Sequence, residues 1–308
     1  MQRKLAAQQI TEGVIWKQLL SFFFPILLGT FFQQMYNTVD AIIVGQFVGK
    51  AALAAVGGAT SVLISILVNL FMGISSGATV IIAQQFGAQN TDGVKKSVHT
   101  SMAMAFGSGV FLIGLGYFAS RPLLQMMSTP SDIIGLSELY MRIYFVGTLF
   151  TLTYNFGAAI LRSMGDTKRP LYFLLASGVI KVVMSLLFVI VFKWGVAGVA
   201  LSTAIGQAIA AAMVCLTLVK EKGPHHLDFK KLSIDLPMAW DIIKIGVPAG
   251  IQGMVFALSN VVIQSSINSF NSSVIVAGNS AANNLENFVY IGMSAFTQAG
   301  LTFTSQNI

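Results

Sequence analysis

The sequence predicts an all-α, polytopic membrane protein, and three observations carry that reading. Apolar residues fill 55% of the 308 positions and charged residues only 9%, whereas soluble domains average about 25% charged. The apolar positions gather into eight runs, at roughly 18–47, 52–84, 97–119, 138–160, 170–192, 195–219, 241–270 and 274–308, each long enough to cross a bilayer as a helix. The basic residues are one-sided. With the N-terminus inside, Arg3, Lys4, Lys17, Lys95, Lys96, Arg162, Lys168, Arg169, Lys220, Lys222, Lys230, Lys231 and Lys244 are cytoplasmic. Lys50, Arg121 and Lys193 are outside, and Arg142 and Lys181 fall within spans. Such asymmetry orients membrane helices, so the net charge of +7 is topological and argues against a nucleic-acid partner.

The first run holds one ionisable group, Asp40, and the series Gln33, Asn37, Asp40 at i, i+4 and i+7 lies on one helix face. The second run contains Gly57, Gly58, Gly73 and Gly77, small residues that let helix backbones approach. It ends in the polar loop Gly87–Gly93. The third is followed by a short apolar piece, Pro122–Met127, and an outer turn, Ser128–Asp132. The fourth closes at Arg162–Pro170, where Gly165 suits a helix C-cap and Pro170 the first turn of the next helix. The fifth carries Ser177, Lys181 and Ser185 at i, i+4 and i+8. A sixth run leads into the longest polar stretch, Lys220–Asp235. The seventh presents Asn260, Gln264 and Asn268, and the eighth Asn279, Asn283, Glu286 and Asn287 with Tyr290 just below.

A shift of 223 residues aligns Pro25 with Pro248, Asn37 with Asn260, Val39 with Val262, Phe47 with Phe270, Gly77 with Gly300 and Thr79 with Thr302. Colinear matches at one fixed shift indicate an internal repeat. The entries are similar too: Thr11 and Asp235 each offer an N-cap before an amphipathic turn. With six spans between them, both copies start on one side, so the repeats are parallel and related by an axis along the membrane normal. The expected organisation is a six-helix bundle over 1–222, a cytoplasmic linker over 223–237, and the first two helices of a second bundle over 238–308. Such a sequence is read as a fragment, or as about two-thirds of its architecture.

Intramembrane ionisable groups are expensive and mark functional sites. Asp40 and Glu286 are the leading candidates; the alternative is amide- and carboxylate-mediated helix packing. At about 1.5 Å rise per residue, Asp40 lies ~10 Å, Ser185 ~12 Å and Lys181 ~18 Å below the outer ends of their spans. An Asp40–Lys181 ion pair is possible if those two helices are neighbours; otherwise Lys181 meets another acceptor or a water-filled cavity. No enzyme constellation is present in the sequence. The single cysteine, Cys215, excludes an internal disulfide, and His99, His225 and His226 lack metal-ligand spacing. Asp166, beside Lys168 and Arg169, reads as a cap or a salt bridge.

Several segments carry a family resemblance: Pro25–Gly49 with Gln34–Asp40, Ala83–Ala88, the specific turn Leu161–Lys168, Trp194–Gly198, Gly246–Gly250 and Ala277–Ala282. Over essentially the whole chain the sequence resembles the multidrug and toxic compound extrusion (MATE) family. The resemblance implies twelve helices in two bundles, cavities between and within them, and export of organic cations and drugs driven by H⁺ or Na⁺ entry. It implies no cofactor and a multi-pass location in the bacterial plasma membrane, and it makes Asp40 a coupling-ion carboxylate. In the family the fifth helix commonly supplies an Asn and, four residues on, an Asp; here Lys181 and Ser185 stand at those positions. The departure predicts an ionised Asp40 paired with Lys181, leaving Glu286 as the better proton carrier. Substrate is expected at Gln33, Tyr36, Asn37, Tyr154, Asn260, Gln264, Asn283, Asn287 and Phe288. Two other readings stay open: a flippase for a lipid-linked precursor, which needs several cavity-facing cations such as Lys181 and Arg142, and a truncated, non-transporting remnant. The oligomeric state is open.

Overall fold

Long apolar runs have to satisfy their backbone polar groups internally when they cross lipid, and helices do so. The computed structural model describes residues 14–268 and 273–308; side chains at 264, 265, 268, 273–281, 283–285, 287 and 288 lie outside the described residues. In order, the helices are α1 (Ile15–Ile43, continued by a π-helical turn, Val44–Val48), α2 (Lys50–Gly57), α3 (Ala59–Gly87), α4 (Thr91–Met126) and α5 (Ile134–Ser163). They are followed by α6 (Lys168–Leu186, continued by a π-helical turn, Leu187–Val191), α7 (Gly195–Lys220), α8 (Leu236–Asn268) and α9 (Ser273–Asn307). Seven helical segments among the described residues are long and apolar enough to cross a membrane. α9 is a further long helix of 35 residues.

The second expected span is in fact two helices, broken at Gly58. An added Cβ there would stand 2.6 Å from the Ala54 carbonyl oxygen, so only glycine closes this bend. The apolar piece Pro122–Met127 is not separate. It forms the last turns of α4, with Pro122 inside the helix, where the missing N–H costs one backbone bond near an end. The signature turn forms as its residues dictate. Gly165 takes φ +94°, with Gly165 N–H donating to Arg162 O and Asp166 N–H to Leu161 O. Asp166 then caps α6, accepting from the Lys168 and Arg169 amides at 3.1 Å each, and pairs with Arg169 Nε at 2.8 Å. Asp235 caps α8 through the Met238 amide; Thr11 lies outside the described residues.

One core cluster joins α3, α4, α5, α6 and α7 around Phe156, Met102 and Leu218 and extends to Ile242 of α8. A second, toward the opposite side, gathers Ile43, Leu112, Phe145 and Val199. α1 packs on α9 and α3 on α8, the reciprocal pairing that two parallel repeats generate about a shared axis. Both contacts sit toward the side where α1 begins and α9 ends, hereafter the terminal side. There Phe22 and Ile26 meet Ala295 and Ala299, and Gly73 and Gly77 face Gly246 and Gly250 backbone to backbone.

The polar stretch after α7 is a strap. Leu227 is fully buried in the first core. The Asp228 amide donates to His99 Nε2 at 3.3 Å, while His99 Nδ1 lies 2.8 Å from Lys95 O. The Asp235 amide donates to Thr100 Oγ1, and the Asp235 carboxylate pairs with Lys96 at 3.5 Å. These contacts hold it against α4.

Candidate functional site

A carboxylate that leaves water needs a partner, and α6 brings one. Lys181 Nζ lies 2.7 Å from Asp40 Oδ2, with the two side chains 11% and 13% exposed. The predicted ion pair is therefore present, because α1 and α6 are packing neighbours. Ser185, one helical turn beyond Lys181, is fully buried, and its hydroxyl and that of Thr203 lie beside the carboxylate. Neither Asp40 Oδ1, Ser185 Oγ nor Gln207 Oε1 has a well-formed hydrogen bond among the described residues. The lysine stem fits because α7 carries Gly206 opposite it: an added Cβ would sit 2.9 Å from Lys181 Cβ. Just past this layer, the π-helical turns of α1 and α6 begin at Val44 and Leu187 and pack on each other; such turns concentrate at functional sites.

The other candidates divide. Tyr36 packs its ring over Gly178 and reaches the Leu175 carbonyl at 3.4 Å, so it supports the α1–α6 contact. Gln33 and Asn37 share the Asp40 face by helical spacing yet are exposed, although α6 also packs on α1 at Gly29 and Tyr36. Asn260 on α8 and Glu286 on α9 are exposed as well. Tyr154 corrects the expectation of a substrate contact. It is 4% exposed, and its hydroxyl donates to Pro170 O at 3.0 Å, so it closes the core behind the signature turn. The side chains of Gln264, Asn283, Asn287 and Phe288 lie outside the described residues.

Arg142 is committed elsewhere. It pairs with Glu138 at 2.7 Å and lies over the Tyr117 ring at 4.9 Å, with Arg121 also near Glu138 at 3.6 Å. This removes one of the two cavity cations on which a lipid-precursor flippase would draw. Sequence reasoning missed Thr203, Gly206 and Gln207. Thr203 and Gln207 stand at i and i+4 in a mostly apolar helix, the same spacing as Lys181 and Ser185.

On the terminal side, a cavity of about 230 Å³ opens between the signature turn and the start of the strap, lined by Phe22, Phe86, Asp166, Arg169, Glu221 and His225. Arg169 bonds Glu221. Burial lowers the His225 pKa below its ordinary value, against the raising effect of the Glu221 carboxylate, whose oxygen lies 3.6 Å away.

Comparison with known proteins follows the same lines. A model of the MatE family matches residues 25–187. A probable multidrug resistance protein of Bacillus subtilis (strain 168), YpnP, is 31% identical over 308 residues, covering 99% of this chain and 67% of its own length. A second from the same organism, YoeA, is 29% identical, covering 100% and 67%. Among solved structures, a MOP superfamily transporter from Pyrococcus furiosus superposes with a TM-score of 0.89 at 21% identity, covering 99% of this chain and 67% of that one. A multidrug resistance MATE family transporter in an outward-facing conformation gives 0.89 at 22%, with the same coverage.

Proposed function

The chain belongs to the MatE family of multidrug efflux transporters, and on that premise we propose that it is a secondary exporter of organic cations and drugs in exchange for H⁺ or Na⁺. One observation carries the reading. The contacts α1–α9 and α3–α8 close toward the terminal side, while farther along the same helices Gln33, Asn37, Asn260 and Glu286 are exposed. Two helix pairs sealed at one end and polar beyond it suit a cleft that opens to alternate sides of a bilayer. The excess of basic residues on the terminal side assigns that side to the cytoplasm, with the cleft facing outward. In this reading Gln33, Asn37 and Asn260 offer amides to substrate, and Glu286 carries the coupling ion.

The test is efflux of a fluorescent organic cation in everted vesicles under an imposed H⁺ or Na⁺ gradient. Glu286→Gln should abolish gradient-driven movement while the protein stays in the membrane at normal abundance. Undiminished efflux by this variant would remove Glu286 from the coupling role, and absence of native efflux under either gradient would remove the exporter reading.

A further inference from the structure

The Asp40 carboxylate is set among oxygens. The Ser185 and Thr203 hydroxyls lie beside it, and neither Asp40 Oδ1 nor Ser185 Oγ has a well-formed hydrogen bond among the described residues. A carboxylate supplemented by hydroxyl oxygens is the ligand chemistry of a hard cation. Held there instead is a covalently attached one, the ammonium of Lys181 at 2.7 Å, on a stem admitted by Gly206.

We infer that Lys181 is a resident cation that closes the first bundle's carboxylate to Na⁺, so that ion exchange falls to Glu286 on α9. The inference rests on the exporter reading for the role of Glu286, but the closure of Asp40 stands on geometry alone. A Na⁺ seated at Asp40 would lie a few ångströms from the ammonium. Two unit charges about 4 Å apart at a protein-like dielectric repel enough to lower affinity by roughly three orders of magnitude. Withdrawing the lysine instead would strand an ammonium in a low-dielectric layer. The groups that face the pair are Ser185 on α6, Thr203 on α7 and Tyr140 on α5. None of these is a second carboxylate, so none relieves that repulsion.

The experiment measures equilibrium binding of radioactive Na⁺ to purified protein in lipid nanodiscs. Glu286→Gln, an exposed substitution, removes the other candidate acid without disturbing the core. This variant should bind no Na⁺ saturably. Adding Lys181→Asn and Ser185→Asp to it removes the resident cation and should create saturable binding, which a further Asp40→Asn should abolish. Saturable Na⁺ binding by the Glu286→Gln protein would overturn the inference. So would failure of the Lys181→Asn/Ser185→Asp form, folded by size-exclusion chromatography, to bind. If that form does not fold, Lys181→Ala takes its place with the same two outcomes. Organic-cation efflux by the native protein is scored separately, so loss of the exporter reading and loss of this inference are distinguishable.

Discussion

Asp40 and Glu286 are both carboxylates in apolar helices, yet one is buried against a lysine and the other is exposed. The difference shows what burial demands. Asp40 can sit inside the first bundle because α6 supplies a counter-charge and α7 supplies a glycine to make room for it. Glu286 has no such enclosure and lies exposed on α9. Two acids in apolar helices thus sit in opposite electrostatic surroundings.

Removing one member of the pair should break this contrast most severely. Asp40→Asn strands the Lys181 ammonium and should cost about 3–5 kcal/mol, whereas Asp40→Asn with Lys181→Met should recover most of that, since apolar replacement of a buried pair is often neutral. Thermal unfolding in detergent measures both. If the double variant unfolds as early as the single one, the pair is not what stabilises this layer. Next in size, Gly206→Val pushes against the Lys181 stem and should cost about 1–3 kcal/mol by overpacking; an unchanged melting temperature would mean that the stem has another path.

His225, on the terminal side, is nearly as enclosed as Asp40, its side chain 14% exposed against 13%. Because burial lowers its pKa, the folded protein favours the neutral imidazole. The resulting stability is complete above the ordinary histidine value of about 6.5 and declines as pH falls through the lowered folded value. Melting temperature should therefore drop below pH 6.5, and His225→Gln should flatten that fall; a profile unchanged by the substitution would exclude His225 as its source. Smallest of all for stability is Glu286→Gln, within about 0.5 kcal/mol as for other exposed sites. A larger shift would show that Glu286 is enclosed after all.

Much of this was legible in the sequence. Eight apolar runs gave the long helices, and the spacing of Ser177, Lys181 and Ser185 put the lysine on one polar helix face, whose contact with Asp40 only the packing of α1 on α6 settles. The glycine-bearing turn at 161–168 gave its own cap. What stayed hidden depended on neighbours. Tyr154 looks like a ligand contact in one dimension, and only the approach of Pro170 shows where its hydroxyl goes. Gly58 reads as one more small residue in a membrane helix until the Ala54 carbonyl shows that it marks a break. Gln33, Asn37 and Asp40 share one helical face, but periodicity cannot say where along that face a second helix lies. The strap reads as a polar tether, and burial of Leu227 turns it into part of the first core.

The joint between α3 and α8 has a consequence of its own. Where Gly73 and Gly77 meet Gly246 and Gly250, the surfaces in contact are peptide planes rather than interlocked side chains. Separating them would reset no rotamers at these positions, so re-forming the contact would avoid the ordering cost of immobilising long side chains, about 0.5–1.5 kcal/mol apiece. The strength of a joint made this way is set by the area it buries, not by the locking of side chains.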